Sequence, residues 1–257
     1  MDTPAPTKPA RVRRWLPYWA VFQADLRQTL RSWVYLVWVL VSVLGAAGYL
    51  LYRVGIYHEA GMVQSASVLI SDLLRWSALG SITLIIALAG GCISSERGTM
   101  ADSVLSRGIS RYQYFLAKWH ARLVAVLSTF LAMGFVALAG SFMFLHGDLS
   151  LRGSLVALAT IVTLLAAVTT CGVTVSAIAN STMLGITVLW ILLYGAGFAL
   201  TLLPAHYPSP DRVLNNLPRT LRGVYDLHAL GQLVGWSAAA SGLIALVGFG
   251  YFARRDI

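Results

Sequence analysis

The residues of this chain that could do chemistry are few and widely spaced. A metal site of the H-E-x-x-H type needs two histidines on one helix face with a glutamate between them, and the pair His58-Glu59 has no second histidine at that spacing. Cys92 and Cys171 lie in separate apolar segments, so they fit neither a disulfide framework nor a zinc pattern. We therefore expect surface histidines, packing cysteines and no metal.

A phosphate-binding P-loop is the second kind of site to consider. It requires Gly-Lys-Ser/Thr, because backbone amides and that lysine hold the phosphates. The chain has two lysines, Lys8 and Lys118, which are preceded by Thr7 and Ala117. No Walker A motif is therefore present. We expect no catalytic residues and no cofactor in this chain.

A charged stretch inside the chain holds the most informative spacing. It runs from Glu96 to Arg122 and reads ERGTMADSVLSRGISRYQYFLAKWHAR. Thr99 and Asp102 form an S/T-x-x-D pattern typical of a helix start, and Gly108 is a typical stop. The pattern predicts a short helix over about residues 100–107.

A second start pattern follows this short helix. Ser110 and Gln113 again have capping-box spacing. The following helix should continue through Lys118 into the next apolar stretch. We therefore expect a short helix held between two long ones, where it could contact a cytoplasmic partner.

The composition of the whole chain indicates the kind of structure that holds this charged stretch in place. Of 257 residues, 58% are hydrophobic and 11% are charged, whereas a soluble domain has about 25% charged residues. The net charge of +9 would suggest nucleic acid in a soluble protein. Here the basic residues lie between apolar blocks, so we interpret them as topology signals and contacts to membrane lipids, with no nucleic acid.

Six apolar stretches have the length of about 20 residues that a spanning helix needs, and none contains Asp, Glu, Lys or Arg. Backbone groups in lipid must be satisfied within the segment, which favours helices. The fold class we predict is an all-α polytopic membrane protein. Its spans are expected at about residues 33–52, 76–95, 123–145, 153–179, 183–203 and 230–252.

Lysine and arginine placement indicates the orientation. With a cytoplasmic N-terminus, inside segments carry 13 Lys and Arg residues and outside segments carry 6. Basic residues concentrate on the cytoplasmic side, so we expect both termini inside. The predicted units are a cytoplasmic N-terminus (1–32), a transmembrane domain (33–252) and a cytoplasmic tail (253–257).

The segment before the first span has amphipathic spacing. Trp15, Trp19, Phe22, Leu26 and Leu30 recur on one helix face, and polar residues fall elsewhere. The pattern predicts an interfacial elbow helix, which could be a simple anchor or a lever that contacts a partner.

Two external loops are expected, at 53–75 and 204–229. The first holds a possible interfacial helix near residues 65–74. Helical spacing in the second predicts a short surface helix containing Leu214, Leu217, Leu221 and Val224.

The charged stretch resembles that of ABC-2 type transporter permeases. The shared pattern is E-x-G-T, then L-S, then S-R, then K, carried here by Glu96, Gly98, Thr99, Leu105, Ser106, Ser110, Arg111 and Lys118. The ending FARRDI at residues 252–257 and the six-span layout are also similar to that family. The resemblance implies that the helix at 100–107 is a coupling helix. It also implies a coupling site made of Glu96, Gly98, Thr99, Asp102, Leu105, Ser106, Arg107, Arg111 and Lys118.

The same resemblance implies half of an ABC exporter in a bacterial or archaeal cytoplasmic (inner) membrane. The implied partners are a separate ATP-binding subunit, which would hold the ATP and Mg, and a second permease copy or a related permease. Threonines and small residues in the fourth and sixth spans could pack helices or line a path. Such a path would suit an amphiphilic or lipid-like cargo better than an ion.

A second interpretation remains open. The same kind of subunit could transmit ATPase motion to a periplasmic protein for maturation, as in copper-site assembly, without moving a bulk substrate. An adjacent gene for such an extracytoplasmic partner would favour it.

Overall fold

The computed structural model describes residues 15–60, 65–96, 109–144, 148–202 and 209–254. Within these ranges the regular structure is helical, without strands. The long helices are α1 (Leu16–Arg31), α2 (Trp33–Ala60), α3 (Ala66–Ala89), α4 (Arg111–Phe144), α5 (Leu151–Ile178), α6 (Thr182–Thr201) and α9 (Leu227–Arg254). The short ones are a 3₁₀ turn (Ser94–Glu96), α7 (Pro210–Asn215) and α8 (Leu217–Leu221).

Six of these helices, α2 to α6 and α9, are long and apolar enough to cross a membrane. The chain is therefore a multi-pass α-helical membrane protein. Helices α3, α4 and α5 supply most of the core, whereas α2, α6 and α9 leave their apolar faces largely exposed. Exposed apolar helix faces are what a lipid environment permits.

Serine and glutamine side chains mark several helix starts. Ser150 and Ser181 accept hydrogen bonds from Gly153 N and Leu184 N, which caps α5 and α6. At the start of α4, the Gln113 side chain accepts from the backbone N–H of Ser110 at 3.4 Å. The start of α4 is thus at the position that the Ser110 and Gln113 pattern predicts.

The segment between the first two spans differs from the expected loop. Helix α2 continues to Ala60 and α3 already begins at Ala66, ten residues before the predicted start of the second span. Asp72 and Arg75, which fall in the expected external loop 53–75 with its interfacial helix near 65–74, therefore lie within α3. Charged side chains do not end a helix, and the long stem of an arginine can run along apolar surface while its head reaches water.

The short helices at 210–221 also differ in detail. A break at Asn216 separates α7 from α8, so the predicted single helix is two. Leu217 and Leu221 are fully buried, but Val224 lies beyond the helices and is exposed. Gly223 ends this segment with φ of +87°, a conformation that L residues rarely adopt.

Helix α8 packs directly against the start of α5. The backbone N–H of Ser150 donates to Leu221 O at 2.8 Å. A Cβ added to Gly153 would lie 2.1 Å from Thr220 O, so only glycine permits this approach. The short helices therefore belong to the same packed body as α3 and α5.

A single residue separates the first two helices. Ser32 has an extended backbone (φ −66°, ψ 138°), which interrupts the helical hydrogen bonds between α1 and α2. Its hydroxyl accepts from the backbone N–H of Tyr35 at 3.3 Å. Helix α1 turns away here and packs mainly along α4.

Candidate functional site

The part of α1 that faces the protein is polar. Asp25 and Thr29 are buried, whereas Trp15 and Trp19 are more than half exposed. Of the predicted apolar face, Trp15, Trp19 and Leu30 are exposed, whereas Phe22 and Leu26 are half-buried. This arrangement suits a helix at a membrane surface, although its interfacial placement stays a prediction.

Asp25 meets two cations of α4. Its Oδ1 atom lies 2.9 Å from Lys118 Nζ and 3.2 Å from a guanidinium nitrogen of Arg122. Lys118 and Arg122 are four residues apart, so both point from the same face of α4. Two adjacent buried cations require a counter-charge, and α1 supplies it.

Glu96 completes this group from the end of the 3₁₀ turn. Lys118 Nζ lies 2.5 Å from its Oε1 atom, and the Tyr114 hydroxyl donates to its Oε2 atom. We call Asp25, Glu96, Tyr114, Lys118 and Arg122 the Lys118 cluster. It joins α1, the segment after α3, and α4, with two carboxylates matching two cations.

Arg122 has a further contact to α1. One guanidinium nitrogen donates to the Thr29 hydroxyl, which itself donates to Asp25 O at 2.7 Å. Asp25 Oδ2 and Arg122 Nε are buried without a hydrogen-bond partner in the described residues. The cluster is thus balanced in charge but not fully satisfied in hydrogen bonds.

Aromatic side chains place the end of α9 next to the Lys118 cluster. Phe252 is buried and stacks on Tyr114, with ring centroids 6.0 Å apart. Arg111 at the start of α4 donates to Ala253 O at 3.2 Å. A cation at a helix C-terminus is favourable because the last carbonyls carry partial negative charge.

The predicted coupling residues divide into two groups. The structure brings Glu96 and Lys118 together and places Arg111 at the last turn of α9. Gly98, Thr99, Asp102, Leu105, Ser106 and Arg107 lie outside the described residues, and so does the predicted helix at 100–107. The coupling role of the whole set stays a prediction.

The sequence pattern did not identify Asp25, Tyr114 or Arg122 as members of this site. One signal was available: Lys118 and Arg122 at i and i+4 on a helix imply acidic partners nearby. The spacing alone does not identify Asp25 as the acidic partner, because Asp25 lies 93 residues before Lys118 in the sequence.

A second polar cluster lies at the opposite end of α3. Arg222 Nε is 2.5 Å from Asp148 Oδ2, and the guanidinium also donates to the hydroxyls of Ser65 and Ser67. We call Ser65, Ser67, Asp148 and Arg222 the Arg222 clamp. It ties the residues after α8 to the start of α3.

The Asp148 carboxyl titrates unusually low. Partial burial alone would raise its pKa, but hydrogen bonds from the Ser67 hydroxyl and backbone and the charge of Arg222 outweigh that effect. The pKa of Asp148 therefore lies below its ordinary value. The Asp148 carboxyl therefore stays ionised throughout the neutral range.

Comparison with known proteins adds no assignment. No protein-family model matches the chain, and no curated protein sequence matches it with significant similarity. The geometry of the described residues and the resemblance of residues 96–118 therefore carry the functional argument.

Proposed function

We propose that this chain is the membrane-spanning permease subunit of an ABC exporter. A separate subunit would bind ATP and Mg, and two permeases would pair around a path for an amphiphilic or lipid-like cargo. The support from sequence is the ABC-2-like pattern between Glu96 and Lys118, together with the lack of a Walker A motif. Six helices able to cross a membrane are compatible with this class of protein.

The observation that carries the proposal is the ion pair between Glu96 and Lys118. These residues bound the segment that would contain the coupling helix, and they meet at 2.5 Å in a largely buried setting. Separating a buried ion pair costs about 3–5 kcal/mol. A push on residues 97–108 would therefore move α4 as a unit with the pair.

Asp25 extends the same connection to α1. Because Lys118 binds Asp25 and Glu96 at once, displacement of the coupling segment would reach α1 and α4 together. The cluster gives a P-loop ATPase docked at residues 97–108 a mechanical route into the bundle.

The test is ATPase stimulation in the assembled complex. The full chain is purified with a P-loop ATPase from the same cell, and ATP hydrolysis is measured with Glu96→Gln. Glutamine keeps the size and the hydrogen-bond acceptor but removes the charge. We expect stimulation to fall at least about fivefold, the lower range of typical coupling between sites.

A matched control removes a carboxylate elsewhere. Asp226→Asn keeps a good cap at the start of α9, since Asp226 Oδ1 accepts from the backbone N–H groups of His228 and Ala229. Stimulation should stay at the wild-type level. Equal stimulation in the Glu96→Gln complex would refute the coupling role.

A second candidate is transmission of ATPase motion to an extracytoplasmic protein. The Arg222 clamp and the hydrogen bond from Ser150 to Leu221 favour it, because they fix α7 and α8 to α3 and α5. Surface helices attached this way would move with the bundle. Cargo movement in proteoliposomes would favour export; ATPase-dependent activity of the external partner without cargo movement would favour transmission.

A further inference from the structure

One face of α2 carries a seam, a row of residues at helical spacing, that leaves a groove between α2 and its neighbouring helices. Trp38, Ser42, Gly45, Tyr49 and Arg53 lie three or four residues apart, so they share this face. All but Arg53 line a groove of about 320 Å³ between α2, α3 and α4. We call it the α2 groove.

The α2 groove is apolar and opens outward. Leu73, Ser77 and Met133 form its buried floor, and Trp76, 72% exposed, forms part of its rim. The Ser77 hydroxyl already donates to Leu73 O at 2.7 Å. The volume lies at the lower end of the range of about 300–1,000 Å³ found for ligand pockets.

Two glycines define where the groove is closed and where it stays open. A Cβ on Gly80 of α3 would lie 2.6 Å from the Trp38 ring, so the indole packs tightly there. A Cβ on Gly45 would meet nothing within 4 Å. The α2 groove is therefore open beside Gly45, which is exposed, and an apolar chain has room to lie there.

Arg53 lies at the end of this seam. Its guanidinium donates to the Tyr49 hydroxyl at 3.4 Å and lies 5.3 Å from the centre of the Tyr49 ring. Its Nε atom is buried without a partner, and no carboxylate of the described residues lies within ion-pair distance. A cation next to an apolar groove thus lacks an anion within the described part of the chain.

Other polar atoms on the seam are also unsatisfied. Trp38 Nε1 and Ser42 Oγ, like Arg53 Nε, are buried without a hydrogen-bond partner among the described residues. Buried polar groups of this kind are rare and call for a specific explanation. For the Arg53 guanidinium, an occupant with anionic oxygen acceptors would supply one.

We propose that the α2 groove binds one glycerophospholipid. The phosphate pairs with the Arg53 guanidinium beside the Tyr49 hydroxyl, as arginine and phosphate do in charge-assisted hydrogen bonds. One acyl chain runs past Gly45 toward Trp38, over about 16 Å measured along the axis of α2. In the expected orientation this lipid belongs to the outer leaflet.

A free phosphate ion does not explain the site, because most of the residues that line the groove beyond Tyr49 are apolar. Bulk lipid also does not explain it, since a shaped gap beside a cation favours one molecule over its neighbours. The inference concerns binding alone and stands independently of the proposed transport function.

The test is native mass spectrometry of the full chain in detergent, titrated with 1-palmitoyl-2-oleoyl phosphatidylglycerol. We expect one lipid to bind more tightly than the rest. Arg53→Gln removes the cation and Gly45→Leu fills the chain slot, and each should weaken the first binding step about tenfold, the loss expected for one charge-assisted contact.

Ala47→Leu is the matched control for the slot. Ala47 is exposed and lies two residues from Gly45, about 200° around the helix. The same side chain there should leave the first binding step unchanged. Thermal unfolding in lipid-free detergent shows that each variant is folded.

Three outcomes would overturn the proposal: Gly45→Leu binding like the wild type, Ala47→Leu weakening binding as much as Gly45→Leu, or millimolar inorganic phosphate displacing the lipid completely. The measurement uses no ATPase. Failure of lipid binding would leave the exporter proposal intact, and failure of ATPase stimulation would leave the lipid site intact.

Discussion

The ammonium group of Lys118 lies 2.9 Å from the carboxylate of Asp25, and both side chains are only 3% exposed. The contact joins α1 to α4 across 93 residues of sequence. Because neither charge can return to water while α1 stays in place, this pair fixes the position of the N-terminal helix.

Removal of either charge should therefore destabilise the protein. Asp25→Asn and Lys118→Met should each lower the free energy of unfolding in detergent by about 3–5 kcal/mol, since each leaves the Lys118 cluster with one buried charge uncompensated. The double variant should lose less than the sum of the two. Additivity within about 0.5 kcal/mol would show that the pair is not coupled.

Gly153→Ala should loosen the short helices. The added Cβ cannot coexist with Thr220 O at 2.1 Å, so α8 must move away from α5. We expect faster amide hydrogen exchange over residues 210–221, measured by mass spectrometry.

Gly195→Ala on α6 is the control for that change, because its Cβ meets nothing within 4 Å. It should leave exchange over 210–221 unchanged and stabilise α6 by up to about 1 kcal/mol. Unaltered exchange in Gly153→Ala would contradict the close packing of α8 on α5.

The Arg222 clamp should weaken only in acid. A carboxyl whose pKa is lower in the folded state adds stability above its unfolded pKa and loses it as pH falls through the folded value. The ordinary value for Asp148 is 3.8, and its folded pKa lies below that. The stability difference between the wild type and Asp148→Asn should be constant from pH 8 to pH 5 and shrink below about pH 4.

The size of that stability difference should be modest, under about 1 kcal/mol. The reason is that the side chains of Arg222 and Asp148 are 45% and 34% exposed. Thermal unfolding at each pH measures it. A difference that disappears already near pH 6 would contradict the lowered pKa of Asp148.

The orientation can be tested with a membrane-impermeant maleimide. Arg27 on α1 and Arg219 on α8 are exposed, whereas the native Cys92 and Cys171 are buried. Arg219→Cys should react in intact cells, and Arg27→Cys only after permeabilisation. The reverse pattern would contradict the excess of basic residues expected inside.

The sequence predicted the helices well because apolar length alone identifies them. Helix α3 begins ten residues before the predicted start of the second span, since Asp72 and Arg75 interrupt the apolar stretch without interrupting the helix. A hydropathy pattern records where charge occurs. It does not record that an arginine head can leave the apolar layer while its backbone stays helical.

The buried polar residues of α1 show a second limit of prediction from the sequence. The spacing predicted a helix here, but it did not predict that the fully buried residues of α1 would be the polar Asp25 and Thr29. Asp25 and Thr29 pack inward because Lys118 and Arg122 require an anion there. That requirement comes from another helix, so the local pattern cannot contain it.

For the site, the pattern from Glu96 to Lys118 contains two residues that the structure brings together, but it did not predict their contact. Tyr114 and Arg122 join them through the turn of α4, which a helix prediction could have supplied. Asp25 and Phe252 arrive from distant segments, and only the packed structure brings them in.

The break at Ser32 has a consequence for experiments on moving parts. One extended residue transmits little torque, whereas the charged contacts of Asp25 hold α1 firmly on α4. A probe attached to α1 would therefore record rotations of α4, even though its nearest neighbour in sequence is α2. The N-terminal helix would thus report the motion of α4, the helix with which it shares its charged contacts.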